Sequence, residues 1–272
     1  MPTLLFYDKP VPLNADVHLK SRLGSLGGNY SFSASTNSIP LAAVEFFDSA
    51  REYPLAFTGQ NAGALFPIAL LGVRHNENLF VGEDGRWDGT YIPAFVRRYP
   101  FVLAEKQDAE DFNVYLDESY PGLNAQDGER LFTDDGEQTP MLKQALEFLS
   151  TYQGEIKRTR MFVERLQELN LLVPRVLEVV RSNAEPLVLQ GFSVVDEEKL
   201  AVLGDADLLG LARNGYLSWI YAHLMSLGNV QRLSARLDAR LSAATTAGET
   251  PPAATDAPAA ATSRATASKK KH

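Results

Sequence analysis

Cysteine is absent from all 272 residues. That excludes disulfides, thiolate nucleophiles and cysteine-ligated zinc. Histidine is almost as scarce: His18, His75, His223 and His272 are the whole supply, and no two stand at metal-ligand spacing. No metal site is therefore expected. His75, beside a turn, and His223, in a helical stretch, read as structural. The chain also lacks a G-x-S-x-G elbow, a G-x-x-x-x-G-K-S/T loop and a G-x-G-x-x-G turn. These are sequence marks of serine hydrolases, P-loop enzymes and dinucleotide binding, so no cofactor is expected. Gly24 to Gly28 is glycine-rich but follows no convincing strand, and it reads as a loop.

Long apolar runs are missing too. Tyr53 to Val73 carries no charge over 21 residues, a length that could cross a bilayer core. Its content argues otherwise: Pro54 and Pro67 break helices, Gly59, Gly63 and Gly72 weaken them, and Thr58, Gln60 and Asn61 are polar. Two buried strands with a turn between are expected, and no membrane span. Met1 to Asp8 has neither a basic segment nor a long apolar one. No secretory signal is visible, and a cytoplasmic location is the simplest expectation.

What remains has the composition of a globular chain, with 45% apolar and 22% charged residues. There are 26 basic and 34 acidic side chains, for a net charge of -8. Ser242–His272 holds four of the bases and two of the acids, so residues 1–241 carry 22 - 32 = -10. An acidic body repels phosphate backbones, and nucleic acid is not an expected partner. Ser242 to Lys271 is mostly Ala, Thr, Pro and Ser, and buries too little to offset about 1–2 kcal/mol of backbone ordering per residue. It is expected to be disordered, leaving 1–241 as one domain.

Periodicity places elements along that domain. Leu4–Tyr7 and Asn29–Ser33 read as short strands, and Ser38 as the cap of a helix with Leu41, Val44, Phe47 and Ala50 on its apolar stripe. Leu55–Thr58 and Ile68–Val73 are apolar on both faces and read as buried strands. Leu79–Val81 follows as a strand, then a tight turn at Glu83–Gly85, a short helix over Tyr91–Tyr99 and a strand over Phe112–Asp117. Helices are expected at Thr139–Tyr152, with Thr139 as cap, and at about Glu155–Asn170. A hairpin of Val176–Val180 with Leu187–Phe192 comes next. Short helices capped by Asp196 and Asp205 follow, then a long helix from Gly215 carrying leucines to Leu241. The return from helix to strand and back predicts an α+β fold. An antiparallel, sheet-rich N-terminal half is interwoven with a helix-rich C-terminal half in a single compact unit.

Carboxylates such as Asp84, Asp88, Asp117, Glu118, Asp134 and Asp135 are plentiful, but acidic turns mostly just solvate. The densest constellation is residues 78–101, which packs amide, aromatic and cationic groups together. Arg97 and Arg98 offer forked donors to a carboxylate or phosphate, and Trp87 and Tyr91 offer faces to a planar ligand or a partner. With Asn78 and Asp88 they make up the candidate binding set. The alternative stands beside it: the aromatics are core, and the arginines pair with Asp88 or Glu45.

The same segment, with Asn78-Leu-Phe-Val, Gly85-x-Trp87-Asp-Gly-Thr-Tyr91-Ile-Pro93-Ala and Arg97-Arg98-Tyr99-Pro100-Phe101, resembles the SapC family of bacterial proteins. Tyr30-Ser-Phe32, Glu45-Phe46, Tyr53-Pro54, Gly128-Glu-Arg-Leu131-Phe132 and Tyr221-Ala-His223 fit it in order. The likeness runs over nearly all of residues 2–240. It implies an association with surface-layer protein loci and with genes resembling flavin-dependent tryptophan halogenases and outer-membrane receptors. It implies no catalytic residue. The name shared with a peptide-transport permease misleads, since no membrane span is expected here. The leading expectation is a non-catalytic cytoplasmic binding or accessory protein with a protein partner, assisting a halogenase-like flavoenzyme or a surface-protein pathway. The alternative is an enzyme acting on a small anionic or peptide substrate through Trp87–Arg98.

Overall fold

The computed structural model describes residues 5–59, 65–105, 112–179 and 187–246. In chain order, strand β1 (Pro10–Pro12), helix α1 (Ala15–His18), β2 (Arg22–Leu23) and β3 (Ser38–Pro40) precede helix α2 (Phe46–Ser49). Strands β4 (Leu55–Thr58) and β5 (Phe66–Leu70), helix α3 (Ala94–Arg97), β6 (Phe101–Glu105), β7 (Phe112–Asp117) and β8 (Glu129–Arg130) complete the first half. Helix α4 (Pro140–Glu168) leads into the hairpin β9 (Leu172–Val179) and β10 (Leu187–Val195). Four helices follow: α5 (Glu197–Ala201), α6 (Asp205–Arg213), α7 (Tyr216–Ser226) and α8 (Val230–Thr246).

The α+β expectation holds, and the halves are interwoven through one sheet. Five antiparallel strands run β3-β5-β4-β10-β9, with Ser193 of β10 opposite Phe57 of β4. A three-stranded sheet β1-β7-β6 and a two-stranded ribbon β2-β8 stand apart from it. One apolar core runs from Phe6 to Leu237, through Phe46, Tyr53, Phe57, Phe80, Phe162 and Trp219. A smaller one gathers Phe101, Leu116, Leu131, Phe132, Leu142 and Leu149 beneath the start of α4. None of the helices among the described residues is long and apolar enough to cross a membrane.

Several local expectations are corrected. Thr139 does cap α4, its side chain accepting from Leu142 N–H, with Pro140 in the first turn. The two expected helices are one, however, of 29 residues. Gly154 costs the helix about 1 kcal/mol against alanine, but Leu149 and Tyr152 before it and Phe162, Val163 and Leu166 after it are all buried. Packing on both sides carries the helix through. The converse happens at the C-terminal end, where the expected long helix divides into α7 and α8 around a 3-10 turn at Leu227–Asn229. Asn229 Nδ2 donates to the carbonyls of Ala50 and Tyr53, anchoring the break. Helix α8 continues to Thr246, past the expected boundary at Leu241; the rest of the expected tail, 247–272, lies outside the described residues.

The other corrections trace to side chains that bond the backbone. Asn29–Ser33 is a 3-10 turn over Ser31–Ser33, because Asn29 Oδ1 accepts from Ser31 N–H and Ser33 Oγ donates to Tyr30 O. Leu5–Tyr7 forms no strand, and Pro10–Pro12 does instead. Leu79–Val81 is a buried turn with a single bridge from Val81 to Trp87. The helix expected from Ser38 is a strand at its start and helical only from Ala43. Its buried face is also the other one: Glu45 and Phe46 are inside, while Val44 and Phe47 are exposed.

A close approach fixes the entry to the 78–90 segment. Both Leu71 N–H and Gly72 N–H donate to Asn37 O, and a Cβ placed on Gly72 would lie 2.0 Å from Glu77 O. That contact is with backbone and cannot be relieved by a rotamer. Gly72→Ala is expected to lower unfolding free energy by about 1–3 kcal/mol. An unchanged urea midpoint would show that the loop moves aside freely.

Candidate functional site

The 78–98 segment is held from below by two buried groups. Glu45 Oε1 accepts from Tyr91 OH and from Ala94 N–H, each at 2.7 Å, while Oε2 accepts from Ala42 N–H at 3.0 Å. One carboxylate thus fixes its own 3-10 turn, the start of α3 and the Tyr91 ring. Tyr53, fully buried, donates its hydroxyl to Tyr91 O and accepts the Trp87 indole N–H at 3.0 Å. Phe80 meets Tyr53 edge-on, with centroids at 4.6 Å, and stacks on Trp87.

Above the segment lie three arginines of α8, of which Arg236 and Arg240 hold it. Arg232 Nη1 donates to Arg51 O, Arg236 Nη2 to Asp88 O, and Arg240 to the carbonyls of Asn78 and Val81. Four-residue spacing puts all three on one helix face. Arg236 also meets Asp88 Oδ2 at 2.5 Å and lies over the Phe80 ring at 4.3 Å.

Between loop and helix lies an open cleft of about 430 Å³, lined by Glu52, Phe80, Trp87, Asp88, Gly89, Thr90, Arg232 and Arg236. Glu52 accepts from the Thr90 N–H and hydroxyl, closing the turn at one end. Among the described residues, only the loop with Phe80, α8 and the residue before Tyr53 contribute to it.

The six candidate residues divide. Trp87 and Asp88 line the cleft; the other four do not. Asn78 is buried, with Nδ2 on Ser33 O and Oδ1 receiving Phe80 N–H. Tyr91 is tied to Glu45. Arg97 donates to Ile92 O and lies over the Tyr91 and Phe148 rings. Arg98 is buried, with Phe95 4.0 Å from its guanidinium carbon and Tyr7 and Tyr152 around it. Its Nε and Nη2 have no hydrogen-bond partner among the described residues. Asp88 pairs with Arg236 rather than with Arg97 or Arg98. Four of the five remaining candidate carboxylates are also engaged: Asp84 with Arg86, Glu118 with Lys9, Asp134 with Arg130, and Asp117 with four donors from Asp8, Lys9 and Ser119.

Three ionisable groups buried behind the cleft are shifted from their ordinary values. Burial is the main cause in each case. It raises the Tyr53 and Tyr91 hydroxyls above their ordinary range, with the neighbouring Glu52 and Glu45 charges adding to the rise. Burial also raises Glu45 against its three donors. Tyr7 is pushed up to about 12 by burial, against the opposing pull of Arg98. Among the described residues no three metal-ligating side chains gather. The geometry offers stacking faces, guanidinium donors and carboxylates already in use, which is the chemistry of recognition.

Sequence reasoning missed the α8 arginines. Their signal was present as Arg232-x-x-x-Arg236-x-x-x-Arg240, a cationic stripe on an otherwise leucine-led helix. The leucines of the same helix account for it by themselves, so the stripe carries no separate mark of a site. Glu45 is legible in the sequence only as an alternative partner for the arginines, since an acid off an apolar stripe gives no sign of the three donors it accepts from here.

No curated protein and no solved structure matches the chain. A family model, SapC, matches residues 13–233, which takes in every strand except β1, the cleft loop and Arg232 and ends just before Arg236. With more than three-quarters of its length matched, in keeping with the motifs of residues 78–101, the chain belongs to the SapC family.

Proposed function

We propose that this SapC family member is a non-catalytic, cytoplasmic binding or accessory protein that recognises its partner at the cleft between residues 87–90 and α8. The observation supporting this is the state of the cleft's polar groups. Asp88, Glu52 and Arg236 hold the loop or one another and Arg232 holds the Arg51 carbonyl, and the tyrosines behind them are raised away from neutral pH. A proton-transfer site needs a group poised near the working pH, whereas a recognition site needs fixed donors and faces. The acidic body favours a protein partner over nucleic acid. The resemblance nominates a halogenase-like flavoenzyme or a component of a surface-protein pathway.

The test is capture of the full chain at native expression level, followed by hydrogen exchange with and without the recovered partner. Protection is expected at residues 87–90 and 232–236. Failure to recover any stable partner, or protection confined to other surfaces, would sink the proposal.

A further inference from the structure

Arg236 is held by three contacts, and only one of them is to a charge. Its Nη2 donates to the Asp88 carbonyl at 2.9 Å and its plane lies over Phe80. These two place the guanidinium whether or not the Asp88 carboxylate is there. That carboxylate, meeting Nη1 at 2.5 Å, belongs to a side chain 77% exposed, and an ion pair so wet is easily exchanged. One turn earlier Arg232, itself exposed, has given one donor to Arg51 O and has no carboxylate partner among the described residues. A guanidinium carries five donors in a planar fork. The cleft's other carboxylate, Glu52, is committed to Thr90. The half-buried Trp87 ring, backed by the buried Phe80, supplies a flat apolar wall beside the two arginines.

We propose that the cleft binds a carboxylate carried on a flat apolar body, and that the Asp88 carboxylate is its resident competitor on Arg236. The inference rests on reading the cleft as a binding site and adds the chemistry of what it takes. An incoming carboxylate replaces Asp88 at Nη1 while Nη2 keeps its carbonyl, and Arg232 supplies the second guanidinium. A planar monoanion fits this fork. A phosphate dianion would meet the negative rim of Glu52 and Asp88 at higher cost. The carboxylate arrives either free, on a small aromatic acid, or on a peptide ending in an aromatic residue.

The full chain, labelled with nitrogen-15, is titrated with benzoate, benzamide and inorganic phosphate while the Trp87 indole N–H is followed. The indole of Trp219, buried in the core, is the internal control. Benzoate is expected to shift the Trp87 signal saturably, and benzamide and phosphate to leave it. Asp88→Ala should tighten benzoate roughly two- to fivefold by removing the competitor. Arg232→Met should weaken it about tenfold. A peptide with a C-terminal phenylalanine that binds tighter than benzoate, with its amidated form silent, identifies the peptide as the source; weaker binding identifies the free acid. Equal shifts from benzoate and benzamide would overturn the proposal, as would an Asp88→Ala protein that binds benzoate no better than the parent. If benzoate has no effect while a captured partner still protects residues 87–90 and 232–236, carboxylate recognition falls and the binding reading stands. If neither is seen, both fall.

Discussion

Glu45→Ala is expected to cost about 3–5 kcal/mol of unfolding free energy, the largest effect of any single substitution in the site. The carboxylate is 5% exposed and accepts from Ala42 N–H, Ala94 N–H and Tyr91 OH. Each donor left unpaired inside the protein costs about 1–3 kcal/mol. The total falls short of three full penalties because a charge whose burial is itself unfavourable disappears with it. Glu45→Gln should fall between the two. Its amide oxygen can keep the Tyr91 and Ala94 bonds, both of which lie on one carboxylate oxygen, but its NH2 then faces the Ala42 N–H, donor against donor. Urea unfolding of the three proteins measures this. The effect should reach the cleft as well, because Tyr91 O receives the Tyr53 hydroxyl that in turn holds the Trp87 indole. Glu45→Ala within 1 kcal/mol of the parent would show that the three donors find other partners, and the carboxylate would lose its place at the centre of the site.

How far the fold was legible can be followed through the same residues. Elements written in apolar pattern and cap chemistry were readable: β4, β7, the β9–β10 hairpin, Thr139 at the head of α4 and Asp196 at the head of α5. Elements decided by a long-range polar bond were not. The stripe Leu41, Val44, Phe47 and Ala50 has good helical spacing, but the segment turns so that Glu45 reaches α3, 49 residues away. The division between α7 and α8 depends on Asn229 reaching carbonyls 176 and 179 residues back. In each case the partner is fixed only once the chain has folded. The candidate site shows the same split. Trp87 and Asp88 belong to a segment whose composition marked it, whereas Arg232 and Arg236 enter the cleft from a helix separated from it by most of the chain.

Lowering the pH should destabilise the protein through His223, by about 3 kcal/mol between neutrality and pH 4. The ring is fully buried between α7 and the five-stranded sheet, edge-on to Phe57. Val195 N–H donates to Nε2 at 3.1 Å, so the neutral ring carries its proton on Nδ1, which has no hydrogen-bond partner among the described residues. Burial lowers its pKa from 6.5 to about 4, against a smaller opposing contribution from the Leu55 backbone. In the unfolded chain the imidazole takes up its proton near pH 6.5, and in the folded chain only near 4. Between those values the unfolded state holds more protons, so stability falls as the pH falls, at about 1.4 kcal/mol per unit of pKa difference. The contribution is fully present above pH 6.5, and its loss is complete below about 4. Glu45 acts in the opposite sense over part of that range, because its raised pKa makes the folded state the better proton binder. The informative quantity is therefore the difference between the parent and His223→Gln, whose amide oxygen can still receive Val195 N–H but does not titrate. Urea unfolding at a series of pH values from 7.5 to 4.5 should show the parent losing about 2–3 kcal/mol more than the variant. Parallel profiles would mean that the buried ring is not what makes the fold sensitive to acid.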